Sequence, residues 1–139
     1  GAIIRSAVCL GADGIIIPRH NSAEVNHTVI KTSSGAVNYI PIGMETNLNN
    51  VIKVLKQNAF TIIGTDVQAE TTTFEAKLNK AICLIVGSEG KGIRMSLKNN
   101  CDELVRIPMA GGFNSLNASV STAVFLYEIF RQKNASKNL

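Results

Sequence analysis

Hydrophobic positions along the chain fall into short unbroken runs, separated by stretches in which they recur at helical spacing. The runs are GIIIP (14–18), NYIPI (38–42), FTIIGTD (60–66), AICLIVG (81–87) and ELVRIP (103–108). Each is continuous rather than alternating, which is how strands covered on both faces read. Between them, NLNNVIKVLKQNA (47–59) puts Leu48, Ile52 and Leu55 on one side and Lys53, Lys56 and Gln57 on the other, and GIRMSLKNNC (92–101) is a second amphipathic cover. At the start, Ile4, Ala7, Val8 and Gly11 are spaced along one side of a helix. The alternation predicts an α/β fold, a mostly parallel sheet with helices on both faces.

The last helix is predicted from Asn117 to about Lys133. Val120, Ala123, Val124, Tyr127 and Phe130 form one stripe, with Phe125, Leu126 and Ile129 outside it. A helix apolar nearly all round needs a second partner besides its own sheet, and a homodimer through this C-terminal helix is the expectation, with a missing domain packing there as the alternative. Residues 1–133 read as one domain and 134–139 as a polar tail. A helix in such a sheet normally follows a strand, so the first helix, with no strand ahead of it, implies a domain truncated at its N-terminus.

The 139 residues are 45% hydrophobic and 17% charged, enough apolar material for a core. A net charge of +4 tilts the surface toward anionic partners, nucleic acid among them. Cys9, Cys83 and Cys101 are odd in number, widely spaced and without a CxxC pair. That argues against a disulfide framework and for a reducing, cytoplasmic setting. No apolar run reaches the roughly 18 residues of a membrane helix, so no membrane partner is expected. His20 and His27 lack carboxylates at ligand spacing, so no metal is expected either.

Two stretches stand out. VGSEGKGIR (86–94) lies where a strand hands over to a helix, the place where open parallel sheets bind ligands. It fits neither GxxxxGK[ST], since Ile93 and Arg94 follow Gly92, nor GxGxxG. Read alone, its glycines are helix punctuation and Glu89 is a solvated loop acid; Arg5, among Ile3, Ile4, Ala7 and Val8, reads as a snorkelling side chain or as one aimed at a phosphate. MAGGFNSLNASVST (109–122) has no charge at all, although it joins a strand to a helix. An ordinary surface turn would be shorter and more charged.

Taken in order, GAIIRSA, LIVGSEGKGIR and IPMAGG with NSLNASVSTAVFLYE resemble the three motifs of the SpoU/TrmH branch of the SPOUT RNA methyltransferases, over nearly the whole chain. The resemblance implies a C-terminal trefoil knot and S-adenosylmethionine as cofactor, set against the turns at Thr65, Gly87, Ile107 and Leu116, and it makes the uncharged stretch interior backbone threaded through the core and wrapped about that cofactor. It implies methyl transfer to a ribose 2′-hydroxyl of RNA. It makes Arg5 the catalytic arginine of the first motif, Glu89 the acid of the second, and Ser115 and Asn117 the polar pair of the third. The family's first-motif Asn would precede Gly1. IPRHNSA, CDELVRIP and IPMAGG resemble the subgroup acting on a guanosine of large-subunit rRNA more than the tRNA subgroup. A tRNA guanosine methyltransferase, a catalytically silent knotted RNA-binding module and a generic nucleotide-binding domain are the alternatives.

Overall fold

The structure is a computed structural model of the chain and describes residues 1–19, 35–88, 90–113 and 115–135. It divides into two compact units, residues 1–48 and 49–139. The first holds helix α1 (Ala2–Cys9), strand β1 (Ile15–Pro18), a single 3-10 turn (Ala36–Asn38) and strand β2 (Ile42–Glu45). Ile4 and Ala7 are the buried side of α1, one helical turn apart. Strands β1 and β2 pair in parallel, Ile15 opposite Ile42 and Pro18 opposite Glu45.

The predicted strand at 38–42 is displaced. Ala36, Val37 and Asn38 turn instead, and pairing begins only after Pro41, whose carbonyl accepts the Ile15 N–H at 3.0 Å. A proline has no N–H to give a ladder, but at a strand's entry it can still accept. His20 and His27 lie outside the described residues.

The second unit holds helix α2 (Leu48–Gln57), strands β3 (Thr61–Thr65), β4 (Thr71–Thr72) and β5 (Ile82–Ile85), the one-turn helix α3 (Met95–Lys98), strand β6 (Glu103–Arg106) and helix α4 (Ala118–Asn134). Its four strands are all parallel, in the order β4-β6-β3-β5. The parallel α/β prediction therefore holds, but as two sheets among the described residues rather than one. The helix predicted over 92–101 shrinks to α3, because Gly92 takes φ 69° and Arg94 enters the helix without a side-chain cap.

Strand β3 is central and closed on both faces, with Ile62 and Ile63 both essentially inaccessible. On one face Ile63 packs with Val105, Ala76, Leu78 and Phe125, and Ile82, Leu84, Ile107 and Ile129 surround them, so α4 covers that side. On the other, a methyl at Gly64 would meet Cys101 Sγ at 2.7 Å, Leu104 Cδ2 at 2.8 Å and Ile93 Cδ1 at 3.2 Å. Burying each large aliphatic is worth about 1.5–3 kcal/mol. Asp102 sets the register of β6: its carboxylate accepts the Ile62 N–H at 2.7 Å while its own N–H donates to the Ile62 carbonyl at 2.8 Å.

The route of the chain around β6 governs everything downstream. Thr65 pairs with Val105 on one flank, and Thr71 pairs with the same Val105 on the other. Residues 66–70 therefore cross the C-terminal end of β6 as a strap, and the chain leaving β6 at Ile107 has to pass it.

Candidate functional site

Because β6, β3 and β5 are adjacent and parallel, their C-terminal ends lie along one edge. That edge carries Thr65 at the end of β3, Gly87 just beyond β5 and Ile107 just beyond β6. Three of the four cofactor positions predicted from the motifs are thus brought to neighbouring strand ends, where open parallel sheets place ligands.

The strap after Thr65 is fixed from several directions. Asp66 donates its N–H to the Val105 carbonyl at 3.0 Å, and its Oδ1 accepts the Gln68 N–H at 2.9 Å, closing a turn on itself. The Ala69 N–H returns to the Asp66 carbonyl at 3.1 Å. Arg106 Nε then donates to the Ala69 carbonyl at 2.9 Å, and the Arg106 carbonyl accepts the Thr73 N–H at 2.9 Å. Lys98 Nζ stands 2.8 Å from Asp66 Oδ2. That ammonium, with the Gln68 N–H, holds the Asp66 carboxyl below the usual carboxylate range.

Further along, the extended segment that follows β4 is buckled to the end of α4. Gln132 accepts the Leu78 N–H at 2.6 Å and donates to the Ala76 carbonyl at 2.9 Å. None of Asp66, Lys98, Arg106 and Gln132 was singled out from the sequence. The signals were present for two of them: an Asp directly after a strand is an Asx-turn former, and an arginine inside an apolar run such as LVRIP must find a partner.

The glycine segment after β5 folds into a tight turn. Ser88 and Gly92 bridge, the Gly92 N–H donates to the Ser88 carbonyl at 3.0 Å, and Gly90 and Gly92 take φ of 80° and 69°. Gly87 is required by proximity: a Cβ there would lie 2.1 Å from the Gly92 carbonyl carbon and 2.5 Å from its oxygen. Glu89, in this turn, lies outside the described residues, as does Asn114.

The uncharged stretch departs from expectation. Met109 is half-buried, but Ala110 to Phe113 and Ser115 to Asn117 are exposed, Phe113 at 89%. It is not interior backbone of this chain, so burial within the protomer does not account for its lack of charge. Asn117 has a local task that the motif reading did not assign: it is the N-cap of α4, its Oδ1 accepting the Ser119 N–H at 2.9 Å and the Ser119 hydroxyl at 2.6 Å. Ser115 and Leu116 sit just ahead of that cap. Arg5 is exposed on α1 of the first unit, and its N–H closes the first turn on the Gly1 carbonyl at 3.1 Å.

Helix α4 presents two unlike sides. Thr122, Phe125 and Ile129 face the core, whereas Val120, Val124 and Tyr127 are 49%, 37% and 57% exposed. Among the described residues no group of His, Cys, Asp and Glu has the arrangement of a metal site, and no helix is long and apolar enough to cross a membrane.

Comparison with known proteins bears on this geometry. A putative TrmH family tRNA/rRNA methyltransferase of Staphylococcus saprophyticus is 42% identical over 96% of the chain. The 23S rRNA (guanosine-2'-O-)-methyltransferase RlmB of Yersinia pestis is 41% identical over the same share. The chain spans 54% of the length of each of these two relatives. Among solved structures, the SpoU methyltransferase AviRb of Streptomyces viridochromogenes in complex with AdoMet superimposes with a TM-score of 0.89 at 29% identity, covering 96% of this chain and 55% of that one. The model of the SpoU rRNA Methylase family matches residues 1–127, from α1 through the glycine turn into α4, and the chain belongs to that family.

Proposed function

We propose that the chain is the S-adenosylmethionine-dependent methyltransferase domain of an RNA-modifying enzyme, and that it methylates the ribose 2′-hydroxyl of a guanosine in large-subunit rRNA. The observation that carries this reading is the convergence of Thr65, Gly87 and Ile107 on one edge of three adjacent parallel strands.

The residues there fit the cofactor. An adenosyl group needs apolar surface and main-chain hydrogen bonds, and the sulfonium needs freedom from nearby cations. The stretch from Ile107 to Ala118 contributes neutral groups only. Thr65, Gly87, Ile107 and Leu116 hold the adenosyl group. The strap across β6 supports the trefoil knot: the chain leaving β6 passes through the loop that the strap closes, against the usual rule that chains do not thread. The exposed residues 110–113 and 115–117 are then covered by cofactor and by a second copy of the chain.

Bound there, S-adenosylmethionine supplies a methyl group already activated on sulfur. What remains for the protein is alignment and the hydroxyl proton. A guanidinium with a pKa above about 12 is a poor base, so Arg5 acts electrostatically, stabilising charge that develops on the ribose oxygen or holding the adjacent phosphate. Glu89 orients Arg5. Ser115 and Asn117 complete the polar set; since the Asn117 Oδ1 serves the helix cap, its part is played by the Nδ2 donor.

The exposed Val120, Val124 and Tyr127 form the homodimer contact. Val124→Glu lowers the sedimentation mass to that of one chain, and an unchanged mass removes this face as the interface. The rRNA preference is supported by the name of the Yersinia pestis relative, while the Staphylococcus saprophyticus relative carries both RNAs in its name. Transfer of a labelled methyl group to ribosomal and transfer RNA, followed by mapping of the modified nucleotide, tests the whole reading. Methylation confined to tRNA overturns the substrate, and no transfer to either RNA leaves a silent RNA-binding module.

A further inference from the structure

The polar link between the strap and the glycine segment has no place in the chemistry above. Lys98 ends the one-turn helix that follows the glycine turn, and Asp66 opens the strap. Their 2.8 Å contact joins the loop after β3 to the segment after β5; among the described residues it is the one side-chain bond or ion pair between those two stretches. The pair is shielded, the Asp66 side chain 15% and the Lys98 side chain 30% exposed. A charge-assisted bond so placed is worth more than an open surface pair. The second oxygen of the same carboxylate holds the Gln68 N–H, so the lysine draws on a turn that is already formed.

Resting on the reading that the cofactor lies across these strand ends, we infer that Asp66 and Lys98 form a positioning pair, which holds the strap and the glycine segment in their ligand-binding arrangement before the cofactor arrives. Neither residue is a catalytic residue; both act through the backbone they fix. Apparent affinity falls in proportion to the fraction of molecules in the competent arrangement, and loops ordered beforehand remove an ordering cost from binding. The pair therefore sets the affinity for S-adenosylmethionine and leaves turnover of the bound complex alone.

Calorimetry with S-adenosylmethionine and with S-adenosylhomocysteine, on the wild type, Lys98→Met, Asp66→Asn, the double variant and Lys98→Arg, tests this. Asp66→Asn keeps an acceptor for Gln68 and removes only the charge. Each single variant is expected to bind both ligands more weakly by the same factor, about three- to tenfold. The double variant is no worse than either single, and Lys98→Arg restores binding. KM for the cofactor rises while kcat holds, and amide hydrogen exchange over 66–70 quickens in the ligand-free singles. Singles that bind like a binding wild type overturn the inference alone, as does an additive double variant. So does a loss confined to the sulfonium ligand, which would show direct charge contact instead of positioning. Wild-type protein that binds neither ligand overturns the functional reading and this inference with it.

Discussion

Two segments leave the strand ends of the second unit, and they are built in opposite ways. Residues 66–73, leaving β3, are pinned by Val105, Arg106 and Lys98 through main-chain and side-chain bonds. Residues 110–117, leaving β6, are exposed at every described position, and among these only the cap at Asn117 ties them down. One side of the candidate site is thus tied down by the protein's own bonds, and the other lies open at the surface.

The glycine turn belongs with the tied side, and breaking it should cost most. Gly87→Val drives a side chain into the Gly92 backbone, which cannot swing aside as a side chain can. A loss of at least about 3 kcal/mol in urea unfolding is expected, together with loss of cofactor binding. Next is Arg106→Ala, which frees the Ala69 carbonyl and unclasps the strap. About 2 kcal/mol is expected, with faster hydrogen exchange over 66–73 and no change over 110–117; equal change in both segments would erase the contrast drawn here.

On the exposed side, Asn117→Ala removes the cap of α4 and should cost about 1 kcal/mol by thermal unfolding, whereas Asn117→Asp keeps the acceptor and the stability. An aspartate variant that is stable yet inactive assigns the Nδ2 donor to the reaction, and one that is stable and active confines Asn117 to the cap. The smallest effect concerns Asp66 and acid. Its carboxyl is held low in the folded state, so the stability it adds is present above its unfolded pKa of about 3.9 and is lost as pH falls through the lower folded value. The stability gap between wild type and Asp66→Asn should close in that acid window, and a gap that stays constant would contradict the pairing.

Much of the contrast could not be read locally. The apolar runs gave β1, β3, β5 and β6 to within a few residues, and helical spacing gave α1, α2 and α4, because those patterns are properties of neighbouring residues. Strand β4 is only Thr71–Thr72 and has no hydrophobic period; it exists because β6 comes to lie beside it. The same distance along the chain hid the Asp66–Lys98 pair and the Arg106 clasp. That Thr65, Gly87 and Ile107 lie at or just beyond strand ends was legible, because the apolar runs stop there. The exposure of 110–117 was not, since absence of charge in a sequence says that a segment avoids ions and leaves open what will cover it.

The claim that most depends on this division is that the strand-end edge takes up a methyl donor rather than a nucleotide of another kind. Titration of the protein with S-adenosylmethionine and, in parallel, with ATP reads it directly. Saturable S-adenosylmethionine binding at one site per chain is expected, accompanied by protection of residues 110–117 from hydrogen exchange, with little heat from ATP. Preference for ATP, or S-adenosylmethionine binding that leaves 110–117 as open to exchange as before, would contradict it.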